Sequence, residues 1–263
     1  MNAAQSAPPI PINDTKPIDV EFLGGFRIRA AVFGIAAIFC VGLVQADDYN
    51  VYSPYVIASQ SEIELRGYHD VDSRPNVGGA AAEISIAHSV NSWWKPEIYI
   101  AEYQKDPGSA GRLIGYEFEN IFQLTDPGKY WADFGLIAEF ERVTIAGSHD
   151  AIEVGPLIEK TMGRFAHMVN LIWEKQIGSG ASANYGFRYT YSGTYAVSQA
   201  FRPGMEFYGR HADNSYQAGP IIAGEWHLAG TKASLEYRVG VVIGLNADAA
   251  HQTWIGRLEY EFF

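Results

Sequence analysis

The histidines and serines of this sequence are the residues that could support nucleophilic catalysis. The chain holds seven histidines, and catalysis would need one of them within hydrogen-bond reach of a serine, with a third group orienting the imidazole. In His88-Ser89 and Ser148-His149 the two residues are adjacent, and adjacent side chains on a strand point to opposite faces. The sequence also lacks a nucleophile elbow, a dinucleotide-binding fingerprint and a glycine loop that could cradle phosphate. We therefore expect no catalytic residues and no cofactor.

Residues with metal-ligand spacing are sparse as well. His69, Asp70 and Asp72 form the most closely spaced set, but their segment lacks the glycine and the final glutamate of a calcium-binding loop. The single cysteine, Cys40, excludes a disulfide framework and a zinc site built from cysteines. We expect no metal site and interpret the segment as a solvated acidic loop.

Charged residues alternate strictly with apolar ones in several parts of the chain. The clearest segments are 61–66, 133–141, 234–239 and 257–262. Because successive side chains of a strand point to opposite faces, each segment would have one charged face and one apolar or aromatic face. The charged faces carry glutamate and arginine rather than lysine, and these residue types form compact buried networks. The pattern predicts strands whose charged faces share one enclosed space.

That enclosed space is the candidate functional site. The side chains predicted to line it are Glu62, Glu64, Arg66, Glu117, Glu119, Asp133, Glu139, Glu141, Glu159, Arg188, Arg210, Glu225, Arg238, Arg257 and Glu259. Acidic residues outnumber basic ones in this set, which favours a passage that prefers cations because carboxylates raise the local cation concentration. A plug or constriction made of salt bridges between opposite walls is the alternative. The two can coexist if the network rearranges.

Strands separated by turn signals are the elements that would position these side chains. No segment after residue 46 has a helical period or the apolar length of a spanning helix. The alternation predicts twelve strands, with ten or fourteen as alternatives. They cover roughly 60–72, 79–91, 94–105, 110–124, 130–144, 149–161, 164–177, 183–198, 201–211, 215–228, 232–246 and 251–263. Proline follows glycine inside two strands, at 155–156 and 219–220, and we expect bulges there because proline removes a ladder donor.

The direction of the apolar faces separates the possible β-folds. A soluble sandwich or small soluble barrel would turn these faces inward, whereas a membrane barrel turns them toward lipid. Connections after even-numbered strands are predicted to be the shorter ones, as in outer-membrane barrels. Aromatic residues predicted near one rim are Trp93, Trp94, Tyr130, Trp131, Trp226 and Phe262, and those predicted near the other are Trp173, Tyr185 and Trp254. The sequence therefore predicts an all-β fold, a closed antiparallel transmembrane β-barrel.

The N-terminal part has the pattern of a processing signal. A proline-rich, polar stretch is followed by two arginines within 27–29 and an apolar run over 30–44, which is too short to span a bilayer as a helix. The run ends in small or short residues up to Ala46, as secretory signals do. We predict an extension and cleaved signal peptide over 1–46 and a barrel over 47–263. A membrane anchor is the alternative.

The composition limits the partners and the location. A net charge of −11 over 263 residues argues against a nucleic-acid partner, which would need a basic face. A hydrophobic content of 48% excludes a disordered chain. An exported, acidic chain that is rich in aromatic residues and loses its cysteine on processing is typical of the bacterial cell envelope.

The end of the chain resembles the terminal strand of bacterial outer-membrane proteins. Residues 258–263 alternate and end in phenylalanine, and in those proteins this segment is recognised by the barrel-assembly machinery. Together with 155–160 and 170–175, it looks like a loose group of uncharacterised proteobacterial outer-membrane β-barrels, some of them labelled as barrels of meta-pathway clusters for aromatic catabolism. The resemblance implies a location in the bacterial outer membrane. Its motifs are structural, so it implies no site residues.

A passive channel or uptake barrel for small solutes is the function that these features favour. A non-conducting structural or adhesion barrel with a sealed, salt-bridged lumen is the first alternative, and a lipid hydrolase at the barrel rim is the second. The expected partners are outer-membrane lipid, the barrel-assembly machinery and lipopolysaccharide, whose phosphates the acidic loop could bridge through divalent ions.

Overall fold

The computed structural model describes residues 49–74, 77–145 and 147–263. The predicted extension and signal peptide, 1–46, therefore lie outside the described residues. Within the described ranges the chain forms twelve strands, and no helix there combines the length and the apolar character needed to cross a membrane.

The strands follow one another around a closed antiparallel barrel. In chain order they are β1 (Ser61–Val71), β2 (Ala80–His88), β3 (Trp94–Lys105), β4 (Arg112–Gln123), β5 (Asp133–Val143), β6 (Asp150–Met162), β7 (Phe165–Ile177), β8 (Gly186–Tyr195), β9 (Arg202–Arg210), β10 (Ser215–His227), β11 (Ser234–Gly244) and β12 (Gln252–Phe262). Each pairs with its neighbour in sequence, and β1 pairs with β12 from Ser61↔Phe262 to Val71↔Gln252. The closed twelve-strand barrel is confirmed, and no predicted strand end differs by more than three residues. Closure leaves no edge strand that would present unpaired backbone groups to lipid.

The alternation in β11 shows which way the faces point. Val239 is 46% exposed on the outer surface, whereas its neighbour Arg238 is 7% exposed in the interior. Leu235 and Tyr237 share the outward register of Val239, and Glu236 shares the inward register of Arg238. Over 235–239 the apolar side chains therefore face outward and the charged ones inward, as a transmembrane barrel predicts.

The outer surface is an apolar belt with aromatic side chains toward its ends. Ile86 and Ile98 are each about half exposed in the belt. Trp226 stacks on Tyr237 near one rim, with ring centroids 4.5 Å apart, and Tyr185 is highly exposed near the other. A continuous exposed apolar surface of this kind is unfavourable in water but suits acyl chains bounded by two polar interfaces.

The strand irregularities differ from those predicted. The ladder between β10 and β11 skips 219–220, and that between β6 and β7 skips 155–156, but the register is the same on both sides of each gap. The missing N–H of proline accounts for each interruption without an extra residue. The predicted bulges at the prolines are therefore wrong. Register shifts lie instead around Ile100 of β3, in its pairing with both β2 and β4.

The lengths of the connections agree only in part with the prediction. At the rim that holds the start of β1 and the end of β12 they are 89–93, 124–132, 163–164, 196–201 and 228–233, and at the other rim they are 72–79, 106–111, 144–149, 178–185, 211–214 and 245–251. The short turn expected between β4 and β5 is wrong, because 124–132 is the longest connection of all. This loop is closed locally: Gly128 N donates to Asp133 Oδ1 at 2.7 Å, and Leu124 N donates to Phe134 O at 2.9 Å.

Candidate functional site

A row of glutamates crosses the lumen side of β3 to β7. Glu97 lies opposite Glu119, which lies opposite Glu139, and the row continues through Glu153 to Glu174. The first four of these side chains are buried. Like charges directly opposite one another repel across a sheet, so each strand pairing in this row places two carboxylates side by side. Its position inside the lumen favours a functional explanation.

The structure brings four of the predicted residues together in this wall. Glu117 lies opposite Glu141, and Glu119 lies opposite Glu139 two residues further along the strands. All four are buried. Carboxylate oxygens of Glu117, Glu119 and Glu139 lie within 4.8 Å of one another. This spacing would hold or pass a cation more readily than an anion.

A second acidic group lies where the barrel closes. Oxygens of Glu62, Glu259 and Glu261 lie within 4.8 Å of one another. Lys95 Nζ is 2.5 Å from Glu62, and Arg257 forms an ion pair with Glu259. Basic side chains therefore already balance part of this group.

The prediction omitted Glu97, Glu102 and Glu174. Glu97 and Glu102 are both buried. In a regular strand, residues five positions apart would point to opposite faces. The register shift around Ile100 brings both to the lumen side. A strict alternation rule cannot find this, whereas Glu174 continues the inward register of Asn170 and Ile172 and could have been included.

Arg66, on β1, is the most enclosed basic side chain of the predicted set. Its Nε is 2.7 Å from Glu83 Oε2, and its Nη1 donates to the Tyr99 hydroxyl at 2.7 Å. Its guanidinium carbon lies 4.3 Å from the centre of the Tyr99 ring. On the other side of β1, Arg257 Nε is 2.5 Å from Glu64. These contacts join β1 to β2, β3 and β12.

Two further arginines form ion pairs in the part of the wall made by β6 to β11. Arg238 of β11 lies 2.7 Å from Glu206 of β9, and Arg188 of β8 lies 2.5 Å from Glu153 of β6. Each pair joins strands separated by a single strand. The prediction placed salt bridges between opposite walls, and these two pairs link nearby strands of the wall instead.

The remaining predicted residues lie apart from these groups. Arg210 is 3.5 Å from Asp213 at the end of β9. Glu225 is 3.3 Å from Arg202 near the opposite rim. Asp133 and Glu159 contact a segment that the prediction did not place in the lumen.

Residues 49–57, here called the lumen segment, precede β1 and run through the barrel interior. They belong to no strand, and Val51 and Tyr52 are only 1% and 4% exposed. Tyr52 N donates to Asn170 Oδ1 at 2.8 Å, and Asn170 Nδ2 donates to Tyr52 O at 2.9 Å. The Thr190 hydroxyl donates to the same Oδ1 at 3.0 Å, which orients the amide.

Further contacts hold the segment toward the rim at which β1 begins. The Ser53 hydroxyl donates to Glu159 at 2.9 Å, and the Tyr55 hydroxyl donates to Asp133 at 2.6 Å. Val56 N donates to the side-chain oxygen of Gln123 at 2.8 Å. Hydrogen bonds with side chains of the wall thus hold the segment in the lumen.

Apolar side chains of the wall complete the seat of the segment. Tyr52 and Val56 belong to one buried cluster, together with Ile121, Ile137, Leu157 and Ile172. Val51 belongs to a second cluster that includes Tyr68, Met168, Tyr208, Ile221, Val242 and Ile255. The lumen is therefore not lined by ionic side chains alone. An alternation pattern alone did not distinguish these inward apolar residues from outward ones.

An apolar cavity of about 600 Å³ lies in the wall beside the second cluster. Its lining includes Tyr68 and Ile221, whose side chains belong to the interior cluster, and the outward-facing Val239 and Trp254. The cavity borders Pro220, where the ladder between β10 and β11 is interrupted. Residues of both faces of the sheet therefore meet around one apolar space.

The catalytic and metal candidates have other partners. Ser61 Oγ and His88 Nδ1 lie 3.0 Å apart at one rim, a serine and histidine contact that makes two of the three parts of a triad. Asp72 accepts a hydrogen bond from His251 N at 2.8 Å and pairs with Arg74 at 2.5 Å. Hydrogen bonds from Arg74 hold the pKa of the Asp72 carboxyl well below its usual range. The predicted acidic loop is thus tied to the connection between β11 and β12.

Comparison with known proteins identifies the class of fold. No family model and no curated protein matches the sequence. The structure is similar to an outer membrane channel from Pseudomonas putida F1, with a TM-score of 0.56 and 8% identity over 83% of this chain and 99% of that chain. It also matches an anion-selective porin from Comamonas acidovorans, with a TM-score of 0.38 and 8% identity over 79% of this chain and 99% of that one. The first similarity identifies the fold as that of bacterial outer-membrane β-barrels.

Proposed function

We propose that this chain forms a passage for small solutes across the bacterial outer membrane, which the lumen segment closes in the described conformation. The observation that carries the proposal is the way the segment is held. Asn170, Gln123, Asp133 and Glu159 hold it through their side chains, and the sheet closes without it. The segment can therefore leave the lumen without breaking a strand ladder.

The acidic rows support a preference for cations in the open state. Four neighbouring carboxylates on β4 and β5 would raise the local cation concentration and repel anions. Small cations and neutral solutes are therefore the species that we expect to pass.

The wall cavity supports a second solute class. Because the cavity is apolar and residues of both faces of the sheet line it, we infer that a small apolar solute could move between the lumen and the membrane beside Pro220. Such a solute would not need to pass the acidic rows.

The expected partners, lipopolysaccharide and the barrel-assembly machinery, stay predictions from the sequence.

Planar-bilayer recording with the purified full-length protein tests the proposal. We expect brief, infrequent conductance steps for the unaltered protein and at least a tenfold higher open probability for Asn170→Leu, which loses both hydrogen bonds to Tyr52. Asn120→Leu on the outer face is the matched control, since Asn120 contacts Trp94 outside the lumen. Absence of conductance and of solute flux in both the unaltered protein and Asn170→Leu would instead support a sealed structural barrel.

A further inference from the structure

We infer that the lumen is a binding site for an extended peptide, with the lumen segment as its built-in occupant. This site lies in the same lumen as the proposed passage. Peptide binding does not depend on the proposed function, whereas the opening of the passage when the peptide leaves does. What identifies the ligand class is the chemistry of the wall, which recognises a peptide backbone and then particular side chains.

The backbone is recognised at two places. Asn170 accepts from the N–H of Tyr52 and donates to its carbonyl, so one amide reads both polar groups of one residue, as a neighbouring strand would. Gln123 accepts from Val56 N. Asn170 is 0% exposed and its orientation is set by Thr190. Because Thr190 belongs to the wall, the Asn170 amide is oriented by a group other than the segment, as in a preorganised site.

Side-chain recognition occurs between these two places. The hydroxyls of Ser53 and Tyr55 donate to Glu159 and Asp133, so an acidic residue at either position would meet a carboxylate. Between them, Pro54 packs where the wall is reduced to Gly135, whose added Cβ would stand 2.8 Å from Pro54 Cβ. The site therefore suits an extended peptide with two hydroxyl side chains on either side of a proline.

Apolar pockets anchor the ends of the peptide. Val51 and Val56 are 1% and 6% exposed and lie in different apolar clusters. Tyr49 packs on Tyr68 and Tyr208, with ring centroids 4.4 and 5.2 Å away. Hydrogen bonds thus set the register of the peptide, and buried apolar area contributes most of the affinity.

The covalent link between the segment and the barrel is accessible. Residues 57–59 are exposed, and Ser59 has a left-handed backbone with φ of 66° in a turn before β1. The segment can therefore be cut from a folded barrel at this link. The whole chain is first expressed and folded intact. Cutting the folded protein then makes the segment a separate ligand.

The experiment inserts a protease recognition sequence between Ala58 and Ser59 of the full chain and cuts the purified, folded barrel in micelles. Mass spectrometry then measures how much of the segment stays bound after washing, and fluorescence anisotropy measures binding of a labelled synthetic peptide of residues 49–57. A peptide of the same composition in scrambled order is the ligand control. Asn170→Leu in the same background is the test variant of the protein, and Asn120→Leu is its matched control.

We expect the cut segment to be retained or to be replaced by the labelled peptide with saturable binding. Asn170→Leu should weaken that binding by about tenfold or more, because two buried hydrogen bonds are lost, while Asn120→Leu should leave it unchanged. Loss of the cut segment with no rebinding, or equal binding of the scrambled peptide, would overturn the inference.

The two proposals fail in different ways. Conductance that appears on cutting while no peptide rebinds would leave the passage standing and remove the peptide site. Saturable peptide binding to a barrel that never conducts would do the opposite. Blockade of the opened conductance by the added peptide would support both.

Discussion

Two adjacent levels of the lumen wall differ sharply in chemistry although the same strands form them. Glu119 and Glu139 belong to the acidic row, and Ile121 and Ile137, two residues away on β4 and β5, belong to the apolar cluster that holds Tyr52. The apolar level packs against the lumen segment and stabilises it. The acidic level contributes repulsion between neighbours. Under the proposed function, the apolar level retains the segment and the acidic level attracts cations.

The largest expected effect is on stability, from a truncation in the apolar level. Ile137→Ala removes a side chain that is 0% exposed, which costs about 2–5 kcal/mol through lost burial and the cavity left behind. Heat modifiability of the barrel on gels and thermal unfolding followed by circular dichroism would measure the loss. Ile98→Ala on the lipid-facing side is the control, with a smaller expected cost. Equal losses at the two positions would contradict the division between interior and lipid-facing sides.

The acidic level should control selectivity and not retention. Replacing both Glu119 and Glu139 by glutamine in the Asn170→Leu background should reduce the permeability ratio of K⁺ to Cl⁻ by roughly twofold or more, because the local potential becomes less negative.

Reversal potentials in a salt gradient measure this change. Glu225→Gln is the matched control, since Glu225 lies near the rim beside Arg202 and outside the acidic row. An unchanged reversal potential in the double variant would show that ions do not pass the acidic level.

The architecture was accessible to sequence reasoning because alternation with a period of two is imposed by strand geometry. Glu236 and Arg238 were assigned to one face and Val239 to the other on this basis, and the structure agrees. Turn residues located the strand ends for the same reason. Local chemistry is sufficient for such features, since each depends on residues close in the sequence.

The occupant of the lumen could not be found in this way. The contacts of Tyr52 with Asn170 and of Tyr55 with Asp133 join residues far apart in the sequence, and the lumen segment has no strand ladder that would impose alternation. A buried polar residue such as Asn170, in an inward register among Met168 and Ile172, was the one available signal, because a buried amide needs partners.

A smaller effect is expected where the lumen segment passes closest to the wall. Gly135→Ala would place a Cβ 2.8 Å from Pro54 Cβ and 3.0 Å from its Cα, and such overpacking costs about 1–3 kcal/mol. Displacement of the segment relieves this clash, so we expect a higher open probability and faster proteolysis at 57–59. Gly186→Ala is the control, because the added atom there meets the flexible side chain of Glu174. Equal open probabilities in the two variants would mean that the segment is not displaced at Pro54.

The smallest effect should lie outside both levels, in the loops at the rim opposite the start of β1. The pKa of Asp72 is held below its usual range by Arg74, so the folded state favours the ionised carboxyl and this contribution is fully present above the ordinary aspartate pKa of about 4. It is lost as the pH falls below that value toward the lower pKa of the folded state. Hydrogen exchange should therefore become faster in 72–74 and 245–251 at pH 3 than at pH 6, beyond the intrinsic change, while the lumen segment stays protected. Asp72→Asn should abolish the extra change, and an equal change in the variant would assign it to other carboxyls.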